Sequence, residues 1–171
     1  MTEILKATIE DAEQIAELVN SGYRGEASRK GWTTEDGILG GTRIDAKGVR
    51  SEIMKDGTTV LKYVEAGSII GCVELVHQIN KMYLGMLTVK PDLQATGIGK
   101  KLLYAGEQHA LKHSCVAMVM WVISVRSELI AWYQRHGYTP TGEFRPFDNT
   151  DPVFGIPKMP LQFMVLEKPL V

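Results

Sequence analysis

The sequence has few cysteines, no long apolar run and no excess of basic charge, and each absence excludes a class of protein. Its two cysteines, Cys72 and Cys115, both lie in apolar segments, which fits buried thiols in a reducing compartment better than a disulfide framework. No apolar run approaches the roughly 18 residues of a membrane span. A net charge of −1 argues against a nucleic-acid surface. We therefore expect a cytoplasmic protein with no nucleic-acid partner and no membrane partner.

The length and composition predict one domain. With 171 residues, 44% of them apolar, the chain is long enough to bury a substantial core. No linker, internal repeat or low-complexity segment interrupts it, so we predict a single domain over residues 1–171. The first six residues lead directly into a helical pattern, so we also expect no signal peptide. The sequence leaves open whether the chain forms a homodimer.

Two glycines after a strand and a turn make residues 87–103 the most informative segment. The pattern Gln94-x-x-Gly97-x-Gly99 opens a helix directly after the turn. The first N–H groups of a helix have no intrahelical partner, and the macrodipole favours negative charge there. Glycine allows a ligand to approach the backbone closely, and Lys100 adds a positive charge. These residues predict a phosphate-binding turn.

Two common phosphate-binding motifs do not fit this segment. A P-loop requires glycine at position 94 and serine or threonine at position 101, where the chain has Gln94 and Lys101. A dinucleotide-binding fingerprint that starts at Gly97 requires glycine or alanine at position 102, which is Leu102. A nucleoside triphosphatase and a dinucleotide-binding protein are therefore not expected. A glycine-rich turn that opens an ordinary helix stays open as an alternative.

The same segment resembles a loop of a known enzyme family. The family is the GCN5-related N-acetyltransferases (GNAT), whose acetyl-CoA pyrophosphate loop reads Arg/Gln-x-x-Gly-x-Gly/Ala on a strand-turn-helix, as Gln94-x-x-Gly97-x-Gly99 does here. Residues 131–138 resemble the family's second signature, in which an aromatic residue and a tyrosine precede Gly-Phe/Tyr. The resemblance implies a mixed α/β fold with a mostly antiparallel central sheet, splayed central strands and flanking helices. It also implies acetyl transfer from acetyl-CoA to a primary amine.

The predicted order of elements matches that family over essentially the whole chain. Hydrophobic periodicity and turn signals predict the order β-α-α-β-β-β-α-β-α-β-β. The predicted strands span residues 4–7, 59–65, 68–77, 81–89, 116–123, 138–144 and 161–167. The predicted helices span residues 8–22, 45–55, 97–113 and 128–136. The resemblance implies that the strand 81–89 splays from the strand 116–123 and pairs with the pantetheine arm of CoA.

The resemblance also assigns residues to acetyl-CoA binding and to acid catalysis. In the family, the tyrosine of the second signature lies near the CoA sulfur and protonates the leaving thiolate, and Tyr133 takes that position. A phenol of pKa about 10 can protonate a thiolate of pKa about 8.5 when the geometry is tight. A core tyrosine with a hydrogen-bonded hydroxyl is the alternative. The residues implied to bind acetyl-CoA are Leu87, Thr88, Val89, Gln94, Ala95, Thr96, Gly97, Ile98, Gly99 and Lys100.

The general base that several relatives use is not found in this sequence. In those relatives a glutamate lies six residues before the position of Val89, and that position is Tyr83 here. A base is useful because an alkylamine of pKa about 10.4 is almost entirely protonated at pH 7. We therefore place the catalytic base at Glu74 on the neighbouring strand, with Glu35 as a second candidate. The asparagine that the family carries seven residues before the tyrosine is Arg126 here, and its role is left open.

The acceptor is expected to be a small-molecule amine. The family generally builds its acceptor pocket from the first helix and the passage after it, which assigns Tyr23, Trp32 and Glu35 to substrate binding. Glu35 would pair with an ammonium group and favour small cationic amines, and the loop carrying Phe147 and Phe154 would act as a lid. Two alternatives stay open, namely acetylation of a protein or peptide amine and a catalytically inactive CoA-binding module.

No metal site is expected. His109 and His113 have the i, i+4 spacing of a zinc pair on one helix, but the sequence suggests no third ligand.

Overall fold

A computed structural model of the chain describes residues 2–24, 26–147 and 156–171. Its helices are α1 (Ala12–Tyr23), α2 (Ala46–Met54), α3 (Ile98–Lys112) and α4 (Ser127–Arg135). Its strands are β1 (Thr2–Lys6), β2 (Leu39–Gly40), β3 (Thr58–Glu65), β4 (Ser68–Gln78), β5 (Lys81–Val89), β6 (Ala117–Ile123), β7 (Thr139–Pro146), β8 (Ile156–Pro157) and β9 (Gln162–Pro169). Short 3₁₀ turns span Ile9–Asp11, Glu26–Lys30 and Pro91–Leu93.

Seven of the strands form one mixed sheet in the order β1-β3-β4-β5-β6-β9-β7. The strands pair antiparallel except for β5 and β6, which run parallel. The meander predicted from the turns at 66–67 and 78–80 is present as β3-β4-β5. The predicted mixed α/β fold with a mostly antiparallel sheet is therefore confirmed.

The central strands β5 and β6 separate after a short stretch of pairing. They are in register only from Lys81 to Tyr83 on β5, opposite Ala117 to Val119 on β6. On the other side of β5, the pairing with β4 shifts register beside Met86, whose φ of 49° is in the left-handed region. Such a bulge bends a strand and increases its twist. The edge of residues 84–89 that faces β6 is therefore free of pairing with that strand, as the resemblance implies.

Helices cover both faces of the sheet. On one face, α3 and α4 bury residues such as Leu102 and Ile130 in a cluster that includes Leu75 and Met118. On the other face, α1 contributes residues such as Ile15 to a second cluster. Burial of this apolar area provides the main driving force for folding. The packing of helices on the sheet brings the carboxyl end of β5 and the beginnings of α3 and α4 to one cavity.

The long elements lie close to their predicted bounds, and the short ones were not predicted. The strand predicted at 81–89 is found over the same residues, and α3 begins one residue later than predicted. The two-residue strands β2 and β8 pair with each other and carry no periodic pattern that a sequence reading could detect. Phe154, assigned to the predicted lid, lies outside the described residues. Within the described residues, no helix combines the length and the apolar character that crossing a membrane requires.

Candidate active site

The N-terminus of α3 has the geometry of an anion-binding site. Gly97 is its N-cap, with a φ of 91°, and no side chain caps the helix. A Cβ added at Gly97 would meet no atom within 4 Å, so the space beside the turn is open. The first N–H groups of a helix have no intrahelical acceptor and favour a negatively charged partner. The turn is therefore sterically open to an anionic ligand, and phosphate binding there stays a prediction.

The side chain of Gln94 ties the preceding turn to the segment after α1. Its Nε2 donates to Thr33 Oγ1 at 2.8 Å and to the carbonyl of Val89 at 3.1 Å, while its Oε1 accepts from the Trp32 N–H at 2.8 Å. The amide group of Gln94 thus has its partners inside the protein. This residue orients the turn and the 32–33 segment, a role that the sequence motif did not indicate.

A cavity of about 240 Å³ lies between the N-terminus of α3 and helix α4, and we call it the helix-terminus cavity. Trp32 and Trp132, whose ring centroids are 6.2 Å apart, belong to its wall. Its lining residues are Tyr23, Trp32, Thr33, Leu87, Val89, Gln94, Ala95, Gly97, Gly99, Lys100, Leu129, Trp132, Tyr133 and His136. Trp32, assigned to acceptor binding, therefore lies with the predicted acetyl-CoA residues.

Seven of the ten predicted acetyl-CoA residues line this cavity, and three do not. The Thr88 hydroxyl is buried and donates to the Met86 carbonyl at 3.0 Å. The Thr96 hydroxyl donates to the Leu93 carbonyl at 2.5 Å. Ile98 packs in the core of the α3 face. The side chains of Thr88 and Ile98 are therefore buried in the protein, and the exposed Thr96 hydroxyl uses its proton within the turn.

A second cavity, of about 160 Å³, lies beside the gap between β5 and β6, and we call it the arginine cavity. Its lining residues are Tyr23, Arg24, Glu35, Leu39, Arg43, Tyr83, Leu84, Gly85, Met86, Leu87, Met120, Trp121, Val122, Ile123, Arg126, Leu129, Tyr133, Phe147 and Phe163. Tyr23, Leu87, Leu129 and Tyr133 line both cavities. The two cavities therefore meet beside Leu87 and Tyr133.

Tyr133 lines both cavities, and its hydroxyl makes no hydrogen bond to any described residue. Its ring is buried edge-on against the rings of Trp132 and Tyr138, at centroid distances of 5.1 and 5.8 Å. Within the described part of the chain, its hydroxyl has no hydrogen-bond partner. The hydroxyl oxygen is not among the fully buried side-chain atoms, so it keeps some accessible surface. Burial raises the pKa of Tyr133, so the hydroxyl keeps its proton at neutral pH. This differs from the alternative of a core tyrosine with a bonded hydroxyl.

Tyr23 and Glu35, both assigned to the acceptor, lie on the wall of the arginine cavity. The Tyr23 hydroxyl donates to the carbonyl of Leu87, which fixes its ring against β5. The sequence suggested that the Glu35 carboxylate is available to an ammonium group. In the structure it is buried, its Oε1 pairs with Arg24 at 2.9 Å, and its Oε2 pairs with Arg126 at 3.4 Å and Arg43 at 3.6 Å.

Arg126, which replaces the family's asparagine, binds the segment after α1. One of its terminal nitrogens donates to Glu35 at 3.4 Å and the other donates to the carbonyl of Thr33. Arg24 and Arg43 were not assigned a function from the sequence. Nothing local in the sequence indicates this cluster, because its members come from the residue after α1, from two loop segments and from the residue before α4.

Glu74 lies one strand behind the wall of the arginine cavity. Its register partner is Gly85, which lines the cavity, and a Cβ at Gly85 would be 3.2 Å from Glu74 Oε1. Its Oε2 is buried and has no hydrogen-bond partner in the described residues. Burial and the neighbouring Glu52 carboxylate raise the pKa of Glu74 to about 8. Glu74 itself lines neither cavity.

Replacing Glu74 with glutamine is expected to remove a source of instability at high pH. A carboxyl whose pKa rises from 4.5 to about 8 on folding stabilises the fold below pH 4.5, and this contribution is lost as the pH rises through about 8. The free energy of unfolding of Glu74→Gln, measured relative to that of the wild type, should therefore be higher at pH 9 than at pH 5. Urea unfolding at both pH values measures it. A difference that stays constant with pH would contradict a protonated carboxyl at this site.

The side chains of His109 and His113 contact each other and the helix backbone. The two rings are tilted by 38° with their centroids 4.3 Å apart, and His113 Nδ1 lies 2.9 Å from the His109 carbonyl oxygen. In the described ranges no group of three or more histidine, cysteine, aspartate and glutamate side chains has the arrangement of a metal site.

Comparison with known proteins shows the family. The model of the acetyltransferase (GNAT) domain family matches residues 33–151. This range is more than half of the chain, so the protein belongs to the GNAT acetyltransferase family, as the sequence resemblance suggested. A search of curated proteins finds no significant match.

Solved structures of low sequence identity share the fold over nearly the whole chain. The PaiA N-acetyltransferase of Thermoplasma acidophilum, solved with coenzyme A, is 22% identical with a TM-score of 0.69, covering 99% of both chains. The yncA protein of Salmonella typhimurium, solved with acetyl-CoA, is 20% identical with a TM-score of 0.71, covering 99% of this chain and 94% of its own. The ribosomal-protein-S18-alanine N-acetyltransferase of Escherichia coli is 15% identical with a TM-score of 0.72 and the same coverage.

Proposed function

We propose that the protein transfers the acetyl group of acetyl-CoA to the primary amine of a small molecule, with Tyr133 as the general acid. The observation that carries the proposal is that Tyr133 lines both cavities while its hydroxyl makes no hydrogen bond to any described residue. The helix-terminus cavity fits the cofactor, because it combines an uncapped helix N-terminus with Lys100 and an apolar wall. The arginine cavity is left for the acceptor.

The reaction proceeds by direct attack of the amine on the thioester. The amine nitrogen forms a bond to the carbonyl carbon, the carbon–sulfur bond breaks, and the leaving thiolate takes the proton of the Tyr133 hydroxyl. The amine loses one proton to a base, and a proton from solvent restores Tyr133, which gives an amide and free CoA. No step requires a metal. The cytoplasm remains our proposed location, and two buried free thiols support it.

Glu74 is our proposed base, acting through a water because it does not line the cavity. Since the pKa of Glu74 is raised to about 8, its proton-accepting form becomes abundant only above that pH. The ionised carboxylate of Glu74 is therefore present in the pH range in which an alkylamine begins to lose its proton.

Acetyl transfer is expected to rise with pH through an inflection near pH 8 and to level off above it, because Glu74 must be ionised. In Glu74→Gln this inflection should disappear and the rate at pH 8.5 should fall about tenfold, less than for a directly acting base because a water intervenes. The acceptor should be a weakly basic amine such as an acyl hydrazide, which is already unprotonated at neutral pH, so that the substrate does not titrate in this range. An unchanged inflection in the variant would assign the titration to another group.

The function is tested by thiol release from acetyl-CoA in the presence of a library of amines, with mass spectrometry of the acetylated product. Turnover with small amines supports the proposal. Turnover only with peptide or protein amines would indicate a macromolecular acceptor. Calorimetric binding of acetyl-CoA without turnover on any amine would indicate a CoA-binding module.

A further inference from the structure

The arginine cavity carries an excess of positive charge. Among its described lining residues, the charged groups are three guanidinium groups and one carboxylate, which leaves two positive charges unbalanced. The carboxylate is Glu35, which contacts all three arginines. An acceptor that enters this cavity therefore meets a positive potential, which repels a second cationic group and attracts an anionic one.

Two of the three arginines also hold the backbone around the cavity. Nη1 of Arg24 donates to the carbonyls of Gly40 and Thr42, both at 3.2 Å. Arg126 donates to the carbonyl of Thr33. These hydrogen bonds hold the loops beside the cavity in place. The N–H groups of Arg24 and Arg126 that make them are not available to a ligand.

Arg43 is different, because its guanidinium group is available to a ligand. Its side chain is 30% exposed, and its 3.6 Å ion pair with Glu35 is longer than a hydrogen bond. It lies over the ring of Tyr23, 4.4 Å from the centroid. The guanidinium makes no hydrogen bond to any residue that the structure describes, although it lines the cavity. A guanidinium with several N–H donors in one plane is suited to a carboxylate or a phosphonate.

Part of the cavity wall is aromatic. Trp121 packs against Tyr83 and Phe163, with ring centroids 5.9 and 5.8 Å apart, and all three rings line the cavity. The volume of about 160 Å³ is comparable with that of a cavity of about 150 Å³ that holds a benzene ring. The cavity therefore offers a cation and an apolar wall to the same small molecule.

We propose that the amine acceptor also carries an anionic group, which Arg43 binds, and an apolar side chain, which packs on the aromatic wall. An α-amino acid is the simplest molecule with this combination. The inference rests on the proposed function, because it names the class of acceptor for the same site. It replaces the small cationic amine expected from the sequence, since the carboxylate intended for that amine is already paired with three arginines.

The test compares acceptors that differ only in the anionic group. L-phenylalanine and L-methionine are each compared with their neutral amides, and a diamine represents the cationic class. The amine of an amino-acid amide is less basic than that of the amino acid, so at neutral pH its intrinsic reactivity favours the amide. A lower KM for the amino acids, by about 10- to 150-fold, is expected from one charge-assisted hydrogen-bonding contact.

The Arg43 variants assign this preference to one residue. In Arg43→Gln the KM of the amino acids should rise by the same factor, while the KM of the amides and the calorimetric affinity for acetyl-CoA stay unchanged. Arg43→Lys should recover part of the preference because it keeps the charge. Arg50→Gln removes the same charge from an exposed position on α2 and is the matched control.

A binding measurement makes the inference independent of turnover. Calorimetry compares N-acetyl-L-phenylalanine with N-acetyl-L-phenylalaninamide in the presence of CoA, in the wild type and in Arg43→Gln. Tighter binding of the carboxylate that is lost in the variant supports the inference even if no amine is acetylated and the proposed function fails. Equal binding of the two, or equal KM for amino acids and amides, would overturn the inference while acetylation of amines stands. A preference for the diamine would also overturn it.

Discussion

Replacing Tyr133 with phenylalanine is expected to lower kcat by about 10²- to 10⁴-fold with little change in acetyl-CoA affinity. The substitution keeps the ring that packs against Trp132 and Tyr138 and removes only the hydroxyl. That hydroxyl has no partner among the described residues, so its loss leaves no buried acceptor unsatisfied. The measurement is single-turnover thiol release, which isolates the chemical step from product release, together with calorimetry of acetyl-CoA binding.

The matched control is Tyr138→Phe. Tyr138 is a neighbouring buried tyrosine whose hydroxyl donates to Glu107 at 2.8 Å, and it lines neither cavity. This variant should lower the thermal stability and leave kcat unchanged, because it removes a structural hydrogen bond. If Tyr133→Phe keeps the wild-type single-turnover rate, Tyr133 is a structural residue and the thiolate is protonated by another group.

Replacing Gly97 with valine is expected to lower the affinity for acetyl-CoA at least tenfold. The residue has a φ of 91°, and a Cβ there would project into open space beside the helix terminus. A branched side chain would occupy the approach to the free N–H groups and strain the turn, at a cost of about 1–3 kcal/mol in stability. Titration calorimetry with acetyl-CoA measures the affinity, and circular dichroism confirms that the variant is folded.

Gly67→Val separates backbone strain from loss of the ligand site. Gly67 has a φ of 78°, also has no atom within 4 Å of an added Cβ, and lies in the hairpin between β3 and β4. It should lose a similar amount of stability and keep the wild-type affinity for acetyl-CoA. An unchanged affinity in folded Gly97→Val would show that the diphosphate does not bind at this turn.

Features that depend on neighbouring residues in the sequence could be predicted. The strand β5, the turn after Pro91 and the glycines that begin α3 are contiguous, so their types and spacing define the strand-turn-helix without reference to the rest of the chain. The periodic apolar residues of α1 predicted its buried face in the same way. The placement of Tyr133 beside this turn came from the family resemblance, and the structure provides the cavity around it.

Features that depend on distant residues could not be predicted. The side chain of Gln94 belongs to the motif, yet its partners at positions 32, 33 and 89 orient it toward the protein. Glu74 lies on the predicted strand, but only the burial of that strand and the proximity of Glu52 shift its pKa. A side chain's hydrogen-bond partners and desolvation depend on which elements pack around it, and a local pattern contains no information about them.

The sequence by itself determined the family, the long elements and the glycine turn that opens α3. The family followed from the resemblance of two motifs, whereas the long elements and the turn follow from hydrophobic periodicity and from glycine's backbone freedom, which act over a few neighbouring residues. Only the tertiary structure decided the character of the arginine cavity. Glu35 by itself suggested a site for a cation, whereas Arg24, Arg43 and Arg126 converge on it from separate parts of the chain and make the cavity positive. The potential in a cavity is a sum over all the charges around it, and the fold alone determines which charges those are.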